Sequence, residues 1–116
     1  MIAKIKKPCY NKYGYMKFAW LPEKEQDNIA KHKICFSDAV QVFTDPRRIE
    51  RHDDDSSIGE ERWQTMGLAG KVLFVVYTER GEYTWIISAR FAEPFERRIY
   101  FEDSNMYPRG WQRAEP

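Results

Sequence analysis

Long apolar runs are what this 116-residue sequence most plainly lacks. The longest, Val72-Leu73-Phe74-Val75-Val76-Tyr77, is far short of the ~20 residues that a bilayer-spanning helix needs, so no membrane partner is expected. Net charge is nearly absent too: 19 basic and 18 acidic side chains leave +1. That excludes a bulk electrostatic pull on nucleic acid, and any RNA or DNA contact has to come from local clustering of charge. Cysteine is scarce. Cys9 and Cys35 allow at most one disulfide and lack metal-ligand spacing; with no signal peptide they read as free thiols in a reducing cytoplasm. No Gly-rich phosphate loop, Ser–His–Asp pattern, paired-carboxylate glycosidase signal or internal repeat stands out.

What remains is enough for one core. Hydrophobic residues make up 42% and aromatics 16%, in a chain long enough for one small domain and too short for two. Residues 22–33 predict a helix, with Pro22 in its first turn and acids early, bases late, as the helix dipole prefers. Phe36, Ala39, Val40 and Phe43 share one helical face, which predicts a second helix over 36–44 ended by Asp45-Pro46. A charged loop, 46–59, follows. Three strand-like segments at 61–68, 71–78 and 83–90 are separated by Ala69-Gly70 and Arg80-Gly81, which suit tight hairpins. Residues 94–102 predict a last helix from Pro94. Residues 1–17 read as an N-terminal extension with a short strand at Met16–Ala19, and 103–116 as a polar, fraying tail. The fold class is α+β: two N-terminal helices, a three- to four-stranded antiparallel meander, and a C-terminal helix.

Turns centred on those dipeptides put Trp63, Thr65, Gly67, Val72, Phe74, Val76, Trp85, Ile87 and Ala89 on one apolar face, against the helices. The other face, with Arg62, Gln64, Tyr77, Thr84, Ser88 and Arg90, is then mixed and open. On this register Arg62, Tyr77 and Thr84 form a row, and Arg62 and Arg90 stand ~20 Å apart along the sheet.

Four clusters carry possible chemistry, each with a plain alternative. Lys31-His32 suits proton transfer beside phosphate, or a solvated helix end. Glu60-Glu61-Arg62 suits a general base next to a cation, or a surface ion pair. His52-Asp53-Asp54-Asp55 invites a metal, although consecutive acids seldom converge on one ion. Glu96-Arg97-Arg98-Ile99-Tyr100 could meet RNA or an acidic partner, or solvent.

A series of residues carries a family resemblance: Trp20-x-Pro22-x-Lys24, Asn28, Lys31-His32, Phe36, Ala39, Val42-Phe43-x-Asp45-Pro46, Glu60-Glu61-Arg62, Met66-Gly67, Val75 to Arg80, Ile86 to Arg90, and Glu96-Arg97-Arg98-x-Tyr100. Over about 18–101 this order resembles the BrnT toxins of bacterial type II toxin–antitoxin pairs. The family glycine after the histidine is Lys33 here, and the family acid after the tryptophan is Leu21. The resemblance implies a RelE-like ribonuclease domain over 18–102, which cleaves RNA in the cytoplasm without metal or cofactor. It further implies a BrnA-like antitoxin that binds DNA, so that DNA is contacted only through the antitoxin. Its catalytic set would be His32, Glu61, Arg62, Arg80 and Arg90, with Lys31, Tyr77, Arg97 and Tyr100 contacting RNA. A non-catalytic interaction module, or an inactive toxin copy, is the alternative.

Overall fold

Strand-forming residues between 63 and 91 build the expected meander, and the surrounding segments enlarge it. The computed structural model describes residues 4–5, 9–11, 14–102 and 106–114, with side chains from Met16 onward. Strands are β1 (Lys4–Ile5), β2 (Cys9–Asn11), β3 (Gly14–Trp20), β4 (Ile49–His52), β5 (Trp63–Ala69), β6 (Lys71–Arg80), β7 (Tyr83–Phe91) and β8 (Gln112–Arg113). Helices are α1 (Pro22–His32), α2 (Phe36–Ala39) and α3 (Pro94–Tyr100), with a 3₁₀ helix over Val40–Thr44.

The α+β class holds, and several details are corrected. The sheet is mixed, in the order β1-β3-β7-β6-β5-β4-β8 with β2 paired on β3. Its one parallel pairing among the described residues sets Lys17, Phe18 and Ala19 of β3 beside Tyr83, Thr84 and Trp85 of β7. The expected 36–44 helix is one α turn that tightens into 3₁₀ geometry. The charged loop contains β4, and the expected loose tail docks: β8 pairs with β4, and Trp111 is buried.

Register is the larger correction. Ala69 pairs with Lys71 and Trp63 with Tyr77, so the first turn has Gly70 alone at its apex, in the left-handed region at φ 77°. This one-residue slip exchanges the faces of β6 relative to β5. Leu73, Val75 and Tyr77 therefore join Ile86 and Ala89 beneath α1, α2 and the 3₁₀ helix, in a core with Phe18, Trp20, Phe36 and Phe43. Val72 and Phe74 lie on the opposite face with Ile49 and Met66, covered by Tyr100 of α3 and by Trp111. That second face is open only beyond this cover.

Polar side chains finish what the strands leave unpaired. β3 accompanies β7 only as far as Trp85, and farther on the Asn28 carboxamide replaces it. Asn28 Oδ1 accepts the Ala89 N–H at 2.9 Å, and Nδ2 donates to Ala89 O at 2.8 Å and Ile34 O at 2.9 Å. Asp45 does the same for β5, accepting the Leu68 N–H at 2.7 Å and the Tyr100 hydroxyl. Helix α1 lacks a side-chain cap at Leu21 and ends on Lys33 in the left-handed conformation at φ 62°, the geometry a glycine adopts freely. Gly67 lies directly under the 3₁₀ helix, where an added Cβ would sit 2.8 Å from both Val42 Cβ and Val42 O. Because backbone is one of the obstructions, Gly67→Ala is expected to cost about 2–3 kcal/mol, checked by urea denaturation. A loss below about 0.5 kcal/mol would mean that this contact is not tight.

Candidate nucleic-acid interface

Alternation along β4 to β7 assembles the open part of the second face. Arg51 of β4 pairs with Gln64, Gln64 with Val76, and Val76 with Ser88, forming one row across four strands. Arg80 stands on this face at one end, its guanidinium 4.9 Å from the Trp85 ring, and Arg90 stands at the other, 4.1 Å from the Phe74 ring. By strand rise they are ~20 Å apart. Arg62, just before β5, continues the same face opposite Thr78. It lies ~13 Å along the sheet from Arg90, nearer than the turn-based register implies.

The cations differ in what already holds them. Arg80 makes a two-pronged bond to Glu60, Nε to Oε2 at 2.9 Å and Nη2 to Oε1 at 2.8 Å. That hydrogen bonding holds the Glu60 carboxyl below its ordinary range and Arg80 above its own. Arg90 clasps the buried Glu96 at 2.7 and 2.9 Å, while Glu96 also accepts the Glu93 N–H and so completes the capping box of α3. Burial would raise the Glu96 carboxyl, but Arg90 and the Glu93 N–H outweigh it and hold it low. Arg90 thus fastens α3 to the sheet. The Arg62 guanidinium donates no hydrogen bond to a described residue.

Several expected site residues do not converge. His32 follows Asn28 by one turn on the same face of α1, at the free edge of β7 near Ala89. Glu61 is across the sheet, where its carbonyl accepts from Thr78, and roughly 15 Å separates the two groups by strand geometry. Tyr77 is not a stacking platform: it is buried edge-on against Phe43 and donates to Glu50 at 2.9 Å. Tyr100 is likewise buried and bonds Asp45. In both, burial first and then the neighbouring carboxylate push the hydroxyl's pKa up. Arg97 is exposed, donates to Ala92 O, and borders an apolar groove with Leu68, Phe91 and Phe101. Lys31 is exposed beside His32.

The partner of Glu61 is His52. Its Nε2 lies 3.7 Å from Glu61 Oε1 and 3.3 Å from Ser57 Oγ, and its Nδ1 lies 2.6 Å from Asp54 Oδ1. The ring meets Trp63 edge-on at 5.2 Å. The His52–Asp55 run does not gather on an ion. Asp53 turns inward to accept the Ser56 N–H, Asp54 serves His52, and no group of three metal-ligating side chains occurs among the described residues. With 46–59 read as loop, nothing pointed from His52 to Glu61. Strand alternation over Ile49–His52 is the signal that places His52 opposite Trp63 and Arg51 opposite Gln64.

No curated protein matches this chain at a significant level. Among solved structures, the crystal structure of the ribonuclease toxin BrnT of Brucella abortus is similar at 24% identity, over 64% of this chain and 92% of that one, with a TM-score of 0.49. No helix here is long and apolar enough to cross a membrane. Residues 20–96, more than half of the chain, match the family described as the ribonuclease toxin BrnT of type II toxin–antitoxin systems. The chain belongs to the BrnT family of ribonuclease toxins, and an antitoxin is the partner that this membership implies.

Proposed function

We propose that this endoribonuclease cleaves RNA across the rim where β5 begins, with the open arginine face guiding the strand, and that it needs no metal ion. The carrying observation is the pair Glu61 and His52, 3.7 Å apart, with the guanidinium of the adjacent Arg62 close enough to Glu60 to lower its carboxyl. Such cleavage uses the ribose 2′-OH to attack the adjacent phosphorus; the bond to the 5′ oxygen breaks and a cyclic phosphate remains. Glu61 takes the 2′-OH proton, His52 returns one to the leaving oxygen, and Asp54 holds the imidazole in place. Arg62 neutralises the charge on phosphorus. Arg80 stacked on Trp85, with Arg51, tracks the backbone and bases. Lys31 and His32 on α1 and Arg97 on α3 add basic side chains at the far end of the sheet, on its two sides. A BrnA-like antitoxin would silence the enzyme in the cytoplasm and provide its only link to DNA.

The test is induction of the wild type beside Glu61→Gln and Arg62→Ala, with growth and bulk RNA followed. The wild type should arrest growth and lose RNA; each variant should cleave about 10²-fold more slowly or worse, the range for a lost acid–base or electrostatic group. Purified wild-type protein should cleave equally fast in excess EDTA. Arrest by both variants at the wild-type rate would remove the rim from the mechanism, and loss of activity in EDTA would remove its metal independence.

A further inference from the structure

Beside the Glu61–His52 pair lies a pocket of about 230 Å³ lined by Arg51, His52, the three carboxylates Asp53 to Asp55, Gln64 and Arg109. Its chemistry narrows the occupant. The carboxylates of Asp53, Asp54 and Asp55 disfavour a phosphate, and the guanidinium groups of Arg51 and Arg109 disfavour a cation. Nearly every lining group is polar, which disfavours an aliphatic ligand. A small, flat, neutral molecule with both donors and acceptors is what such a wall satisfies.

The bonds already made define which atoms remain. Arg51 Nε donates to Gln64 Oε1 at 2.7 Å, and Nη1 donates to Arg109 O at 3.2 Å. The Gln64 amide therefore keeps its NH₂ as a donor to the pocket. The Arg51 guanidinium lies 4.5 Å from the Trp111 ring, which fixes it between sheet and tail. The Arg109 guanidinium and the Asp55 carboxylate make no hydrogen bond among the described residues, and both line the cavity. Arg109 reaches it from a left-handed backbone at φ 57°. The pocket thus offers a two-pronged donor, a two-pronged acceptor and an amide.

We infer that this pocket receives an unstacked guanine base of the RNA and sets sequence preference next to the cleaved bond. Guanine alone among the four bases offers two neighbouring donors, N1–H and the 2-amino group, to a carboxylate, and its O6 and N7 accept from an arginine. Recognition of single-stranded RNA through splayed-out base edges is the usual mode for sequence-specific contacts. The inference rests on the ribonuclease site placed at the rim.

The experiment titrates the full chain with the 5′-monophosphates of guanosine, adenosine, cytidine and uridine, followed by amide and side-chain NMR shifts. All four carry the same phosphate, so differences report the base. Guanosine monophosphate should bind at least about tenfold tighter than the others and shift the Gln64 side-chain amide. Asp55→Asn should bring it level with the rest, while the thermal midpoint of this exposed variant stays unchanged. Equal binding of all four, or shifts confined to other surfaces, overturns the inference. Cleavage of short RNAs that differ at one base is scored separately. A protein that selects guanine but cuts no RNA would discard the catalytic assignment and keep the pocket. Cleavage without base preference, by a protein that does not select guanine, would do the reverse.

Discussion

Asn28→Ala is expected to lower the stability of the folded chain by about 3–4 kcal/mol, a fall in Tm on the order of 10–15 °C for a domain of this size. The side chain is 4% exposed and makes three hydrogen bonds, all to backbone. Truncation leaves the Ala89 N–H, the Ala89 carbonyl and the Ile34 carbonyl without partners in a place water does not reach. Each orphaned group costs about 1–1.5 kcal/mol once the small loss of apolar contact is set aside. Asn28→Asp separates the two halves of the carboxamide, because it keeps an acceptor for the Ala89 N–H and loses both donors. It should cost at least as much as alanine, because a buried carboxylate oxygen then faces the Ala89 and Ile34 carbonyls. Equilibrium urea unfolding of the three proteins decides the matter. A loss under about 1 kcal/mol for alanine would show that another group closes the β7 edge when Asn28 is gone.

Arg90→Ala carries the second large effect, about 3–5 kcal/mol, because it strands the Glu96 carboxylate under α3 without its partner. Arg90→Lys should recover only part of this, since an ammonium cannot span both carboxylate oxygens as the guanidinium does. The pH dependence has a definite sign. The folded-state carboxyl of Glu96 is held below its unfolded value, so its contribution is fully present above that value and is lost as pH falls through the folded one. The gap between wild type and Arg90→Ala should therefore narrow from about pH 5 downward. A gap constant with pH would assign the effect to lost contact with Phe74 instead. This bears on how mutants of the site are interpreted. Loss of toxicity in Arg90→Ala would follow from loosening α3 alone, whereas the exposed Arg80–Glu60 pair is worth at most about 1 kcal/mol, so Arg80→Ala reports on RNA.

Much of the fold was legible because strong local signals agreed with the final structure. Helix α1 begins at Pro22 and ends beside the basic turn as its charge pattern predicts, and α3 begins at Pro94. The three strands of the meander, β5 to β7, were found within a residue or two, whereas β4 and β8 fell in segments read as loop and tail. The register of the meander was not found, for two physical reasons. A single glycine at φ 77° closes the first hairpin where a two-residue turn fits the letters equally well. A bulge between Val76 and Tyr77 then shifts the second half of β7 by one residue, and nothing in the side-chain pattern marks it. The two displacements cancel for Arg62 and Arg90, which is why their shared face was foreseen. They do not cancel for Tyr77, whose ring goes to the core. At the site, Glu61 and Arg62 were legible as a charged triplet with Glu60. His52 was hidden by the acids that follow it, which drew attention to metals, and by the shortness of β4.

The parallel pairing of β3 with β7 has a consequence for when the chain gains its shape. Lys17 must wait for Tyr83, 66 positions later, before their strands can join, whereas the hairpins of β5, β6 and β7 close over short loops. Closing the longer loop first is entropically costly, so the meander is expected to act as the template onto which β3 is added. During synthesis β3 emerges early, with only the short β1 and β2 to pair with until β7 has left the ribosome tunnel. A partly made toxin is thereby kept unfinished at its amino end while its own ribosome is still translating it.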